Sequence, residues 1–257
     1  MTLSALGIFS AAGASRGWSP ADLTNLAAWY DASDTATITS SSNLVSQWND
    51  KSPNGKNLVQ ASSGNQPSTG LSTQAGKNLI QFADSKALQS VGTAAYWAPF
   101  SSAKTVIAIA CIPETNNGNF MSTNSKASDI SGFEIEWQDT NRAKMLVANS
   151  SAYVIINEVN GTIPNRTNFA VFTYVTDPAN ATAANRSEVY VNDSAATKGN
   201  TQTPSPDTSV SSSLLMGMTD SAGVSTKVGE VVMITGADAT EANRLLVKSY
   251  LQAKWGV

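Results

Sequence analysis

Along most of the chain the hydrophobic positions come in short runs with a period of two, separated by clusters of Gly, Pro, Asn, Asp and Ser. That is the pattern of strands and turns. It predicts strands at 44–48, 79–83, 103–112, 132–137, 143–148, 152–157, 169–176, 188–192, 214–218 and 229–235. Phe133, Ile135 and Trp137 alternate with Glu134, Glu136 and Gln138, so this segment is expected to bury one face and wet the other. Val106 to Ile112 is apolar without a break, as in a central strand covered on both sides. No helix of crossover length intervenes between these runs, which argues for an all-β sandwich and against βαβ units.

Trp18 to Asp22 reads as a helix start or turn ahead of Leu23, Leu26 and Trp29, and the folded domain is expected to begin there. Residues 53–76 and 193–213 are rich in Ser, Gly, Asn, Gln and Thr and are predicted to be ordered surface loops. The one clear helix lies at the end. Asp238 followed by Glu241 resembles a capping box, Ala242, Leu246, Tyr250 and Ala253 form the predicted apolar stripe, and Gly256 is the stop. Trp255 is expected to enter a hydrophobic slot.

Composition narrows the chemistry. Of 257 residues only 14% are charged, about half the usual quarter. The net charge of -3 comes without a basic patch, which excludes a nucleic-acid partner. There is no histidine, so imidazole bases, Ser-His or Cys-His nucleophiles and His metal sites are all excluded. The one cysteine, Cys111, lies in the apolar run 106–112 and reads as a small buried hydrophobe. No run is long and apolar enough to span a membrane. Leu3 to Ala14 is mildly apolar, but its only nearby charge, Arg16, lies at the far end, so it lacks the basic start of a secretory signal.

Three segments resemble concanavalin A-like, laminin-G-type jelly-roll domains of phage virion and bacterial surface proteins: Leu26-Ala-Ala-Trp-Tyr-Asp-Ala-Ser-Asp34; Val45-Ser-Gln-Trp-Asn-Asp-Lys-Ser-Pro-Asn-Gly55 with Gln66-Pro67 and Ile80-Gln-Phe82; and Gly229-Glu-Val-Val-Met-Ile234 with Tyr250-Leu-Gln-Ala-Lys-Trp-Gly256. Pro53 and Ala83-Asp84 depart from the family pattern. The resemblance implies an all-β jelly-roll sandwich of two antiparallel sheets with a short C-terminal helix, filling residues 18–257 as one domain. The leader Ser4 to Gly13 resembles amino-terminal segments of tailed-phage structural proteins. That implies an anchor at residues 1–17, with Leu3, Leu6, Ile8 and Phe9 holding other virion proteins of the capsid or tail.

The resulting expectation is a non-enzymatic structural protein on the surface of a phage particle, a capsid decoration, fibre or tail component, and a homo-oligomer. A second reading is a module that binds host-surface glycans. Its aromatic platforms and hydrogen-bonding partners would be Tyr96 and Trp97, or Trp48 with Asn49 and Asp50. A third is a jelly-roll glycoside hydrolase. On a strand Glu134 and Glu136 share a face about 7 Å apart, and with Asp139 they are similar to the catalytic strand of glucan hydrolases, whose retaining pair stands about 5.5 Å apart. Asp139 and Glu134 differ from the family identities, and the expected reading is a wet strand face without catalysis. No cofactor is expected. Calcium would need several converging oxygens, for which Asp31, Asp34 and Asp50 are the available donors, though these aspartates more readily cap turns.

Overall fold

A computed structural model of the chain describes residues 17–83, 85–114, 118–123, 132–138, 142–148, 153–158, 166–182, 185–195, 197–198, 200–201, 210, 212–217 and 225–257. Leu3, Leu6, Ile8, Phe9 and Asp139 lie outside the described residues. The strands are β1 (Leu26–Asp31), β2 (Ile38–Ser41), β3 (Leu44–Trp48), β4 (Leu58–Val59), β5 (Ser68–Gln74), β6 (Lys77–Phe82), β7 (Ala87–Ser90), β8 (Thr105–Pro113), β9 (Gly118–Ser122), β10 (Phe133–Gln138), β11 (Arg142–Ala148), β12 (Tyr153–Glu158), β13 (Ala170–Thr176), β14 (Ser187–Val191), β15 (Thr197–Lys198), β16 (Asn200–Thr201), β17 (Leu215–Gly217) and β18 (Thr226–Thr235). A short helix α1 (Pro99–Ser102) precedes β8, and α2 (Glu241–Trp255) closes the chain.

All the pairings are antiparallel. One run orders β14, β13, β8, β18 and β1, with β6 and then β5 beside the first half of β18. The other orders β2, β3, β4, β7, β17, β9, β10, β11, β12 and β16. Leu44 paired with Ser68 joins the two into a continuous sheet folded over on itself. The halves face each other across one core, to which Ile107, Ile109, Phe172 and Met233 contribute from the first and Phe120, Phe133, Ile135, Trp137 and Met145 from the second. The opposite faces of β8, β13 and β18 contribute Val106, Ala108, Val171 and Val232 to a second core beneath α2, closed by Val247, Leu251 and Trp255. The unbroken apolar run of β8 thus has the physical cause expected of it: both its faces are covered.

Several local readings need correction. Leu26 to Asp31 is a strand, because its six residues are all buried between the two cores. Residues 53–76 contain β4 and β5. The buried stripe of α2 is Arg244, Val247, Leu251 and Trp255, and Leu246 is 41% exposed. Spacings of three, four and four keep that stripe over one sheet, whereas the predicted stripe depends on small alanines. The N-cap is Thr240, whose Oγ1 accepts from Asn243 N at 3.2 Å, while Asp238 instead accepts from Asn25 N at 2.6 Å. Gly256 does stop the helix, in a left-handed conformation at φ 70°.

Candidate functional site

The motif residues converge first on a structural task. In β18 the ladder to β8 is irregular between Val228 and Glu230, placing Gly229 as the extra residue of a bulge. The bulge turns both Gly229 and Glu230 toward α2. Trp255 then lies so close that a Cβ on Gly229 would stand 2.8 Å from its ring. Glu230, fully buried, accepts from Trp29 Nε1 at 2.6 Å, Tyr250 Oη at 3.0 Å and Trp255 Nε1 at 3.0 Å, and pairs with Lys254 at 2.7 Å. Lys254 also reaches Asp31 at 2.8 Å, and Lys51 joins Asp31 and Asp34 at 3.0 and 2.9 Å. Burial raises the Glu230 carboxyl above its ordinary range, and the Asp31 charge adds to the effect against Lys254 and Trp29. Burial alone would also raise Asp31, but hydrogen bonds from Lys254 and Ser33 and the charge of Lys254 prevail and hold it low.

Asp50 has a similar role. It accepts from the backbone N–H groups of Trp29, Ser52 and Lys56 and from Ser52 Oγ, stapling the loop after β3 onto β1. Asp31 and Asp34 are thus neutralised by lysines and Asp50 is saturated by donors. Among the described residues no group of three or more Cys, Asp or Glu is arranged to hold a metal.

The aromatic platforms suggested by sequence are packing residues. Trp48 and Trp97 are fully buried, so neither ring offers a face to a sugar. Tyr96 is half-buried. Its hydroxyl donates to Ala27 O at 2.6 Å, Lys56 covers its ring at 4.3 Å, and Trp97 stands edge-on at 4.9 Å. Burial and the Asp50 charge push its phenol up to about 12. Tyr96 borders a hollow of about 320 Å³ beside Pro53, Asn54 and Pro99. Asn49 accepts from Gln47 Nε2 at 2.6 Å.

On β10 the core face is as predicted, but the other face is not wet. Glu134 is only 2% exposed, with Ser122 and Leu146 directly opposite on the two flanking strands. Glu136 is half-buried and pairs with Lys144 at 3.1 Å across the ladder to β11. The one carboxylate is enclosed and the other is held by a lysine.

A cleft of about 400 Å³ opens elsewhere, where the start of α2 overhangs the ends of β8, β13 and β14. Register explains its floor: Glu188, Val175 and Val106 sit opposite one another across three strands, on the face turned to α2. Tyr190, two residues beyond Glu188, forms one wall. The Arg244 guanidinium lies 3.7 Å from the Tyr190 ring centre and is gripped by both oxygens of Glu241, at 2.6 and 2.7 Å. That hydrogen-bonded pairing lowers the Glu241 carboxyl. Tyr190 donates to Glu188, and desolvation with that carboxylate raises its phenol. The rim is the turn after β13. Asn180 Nδ2 donates to Asp177 Oδ2 at 3.1 Å, and Asn185 Oδ1 accepts from Lys198 Nζ at 2.8 Å. The lining thus joins Tyr190, one face of which Arg244 covers, to amides and carboxylates around the apolar Val106 and Val175. The sequence signals for it were the alternation of Glu188 and Tyr190 and the turn residues Asp177, Pro178 and Asn180. Nothing in the sequence showed that α2 would close over them.

No protein-family model and no curated protein matches the chain. Solved structures do. The binding domain of botulinum neurotoxin DC in complex with SialylT aligns with a TM-score of 0.53 at 12% identity, over 91% of this chain and 53% of that one. An arabinofuranosidase complexed with arabinofuranosyl-α-1,2-xylobiose aligns with a TM-score of 0.50 at 12% identity, over 80% of this chain and 51% of that one. This chain spans about half the length of either. At this identity the likeness is one of fold: an all-β antiparallel jelly-roll sandwich with a short C-terminal helix, as expected.

Proposed function

We propose that the chain is a non-catalytic glycan-recognition domain carried on the outside of a tailed-phage particle, and that its sugar site is the cleft beneath the start of α2. The observation that carries this reading is the cleft itself: Tyr190 with Arg244 on one face of its ring, amides at Asn180 and Asn185, and carboxylates at Asp177 and Glu188 around Val106 and Val175. Two solved structures that share this fold over about half their length, an arabinofuranosidase complexed with arabinofuranosyl-α-1,2-xylobiose and a neurotoxin binding domain in complex with SialylT, support the reading at the level of fold. The phage context rests on the leader and on the motif resemblance, and the N-terminal segment supplies the attachment to capsid or tail proteins. Copies of the domain on such a particle form a symmetric homo-oligomer. The enclosure of Glu134 and the Glu136–Lys144 pair support binding without hydrolysis.

A glycan array followed by calorimetry tests this. The expected result is saturable binding of at least one oligosaccharide, weakened about tenfold or more by Tyr190→Ala and by Asn185→Ala, with no release of reducing ends. Binding unaffected by both substitutions would move the site elsewhere. Cleavage that disappears in Glu134→Ala would make the domain a hydrolase.

A further inference from the structure

We propose that the α2 cleft selects uncharged saccharide units and rejects acidic ones. This rests on the reading of that cleft as the sugar site. The argument is one of which charges are already committed. Arg244 is the most buried cation there, at 4% exposed, and both its Nε and Nη2 are held by Glu241 while its plane is stacked on Tyr190. Lys198 is held by Glu188 at 3.3 Å and by Asn185 at 2.8 Å. Among the described residues Lys104 is the lining cation with no carboxylate within salt-bridge distance, and it lies near enough to Glu241 to help hold that group ionised.

Three carboxylates, Asp177, Glu188 and Glu241, thus border a space whose lining guanidinium among the described residues, Arg244, is committed. An acidic sugar entering it must pull Arg244 away from Glu241, draw Lys104 away from the charge of Glu241, or stand beside these carboxylates in a partly desolvated site, and each costs free energy. Recognition of a carboxylate or phosphate ordinarily uses a bidentate Arg fork, and here that fork is occupied from within the protein. A neutral ring meets no such penalty. Its hydroxyls donate to Asp177 and Glu188, while the amide N–H groups of Asn185, whose Oδ1 is already engaged by Lys198, are left to donate to ring or hydroxyl oxygens.

The test uses matched pairs that differ in charge: galactotriose against galacturonotriose, and lactose against 3′-sialyllactose. Each is titrated into the full chain at about 0.15 M salt, where the Debye length is near 8 Å. The expected result is that the neutral member of a bound pair binds at least tenfold tighter than its acidic partner, and that Glu241→Gln, which loosens Arg244, narrows the ratio at least threefold. A tighter acidic member in the unmodified chain would overturn the selectivity and leave glycan recognition standing. A ratio unmoved by Glu241→Gln would also overturn it, because the committed Arg244 would then not be the cause. Absence of saturable binding to either member of both pairs and across the array would overturn the glycan reading, and the selectivity with it.

Discussion

Glu230 is a fully buried carboxylate surrounded by two indole N–H groups, a phenol and a lysine. Truncating it leaves two indole N–H groups and a phenol without their acceptor, whereas Lys254 keeps Asp31. Glu230→Ala should therefore cost about 3 kcal/mol in urea unfolding. Glu230 and its neighbour Asp31 have opposite pH signatures. Because the Glu230 carboxyl is raised in the folded state, its contribution is greatest in acid and falls as pH climbs from the ordinary carboxylate range through its folded value. Because Asp31 is lowered, its contribution is present above that range and is lost as pH falls through its depressed folded value. The melting temperature should rise as pH is lowered from neutrality toward the ordinary carboxylate range, then drop below it. Glu230→Gln should remove the rise and Asp31→Asn should flatten the acid drop. A profile unchanged by both would show that these groups do not govern it.

At the scale of the element, α2 acts as a lid whose inner face is chosen by its period. Val247, Leu251 and Trp255 are fully buried, and Trp255 stacks on Phe169 at 5.4 Å. Fully burying a large aliphatic side chain is worth about 1.5–3 kcal/mol, and truncating it in a packed site costs more because a cavity remains. Leu251→Ala should lower stability by about 3 kcal/mol, whereas Leu246→Ala, on the exposed side, should change it by less than about 0.5 kcal/mol. Comparable losses from the two substitutions would mean that the helix lies in the other phase. The same helix supplies Arg244 and Glu241 to the cleft, so its docking and the shape of the proposed site are one structural event.

The described residues form a sandwich held by two cores and latched by the buried polar network. Trp18 packs edge-on to Tyr250 at 6.0 Å. On the reading of residues 1–17 as an anchor, deleting residues 2–17 should leave a folded domain, seen as a cooperative urea transition, and abolish incorporation into particles. Normal incorporation of the shortened chain would overturn the anchor.

Much of the fold was legible in the chain because its causes are local. Period-two alternation in Phe133, Ile135 and Trp137, the unbroken run of β8 and the stop at Gly256 each follow from backbone geometry acting on neighbouring residues. β1 was missed because Leu23, Leu26 and Trp29 recur every three residues, a spacing that suits a helix, β4 because it is only Leu58–Val59 in a polar stretch, and β5 because a strand of Ser, Thr and Gly looks like a loop. Function was less legible. The sequence by itself determined which chemistry is unavailable, through the absence of histidine and the scarcity of charge, and which residues recur as motif. Only the tertiary structure decided that the motif carboxylates and tryptophans brace the core, that Trp48 and Trp97 are buried, and that Tyr190, Asn185 and Arg244 meet around a cleft. The physical reason is distance along the chain: a pocket made from three strand ends, one turn and a helix more than 50 residues from Tyr190 exists only after long-range packing has placed them together.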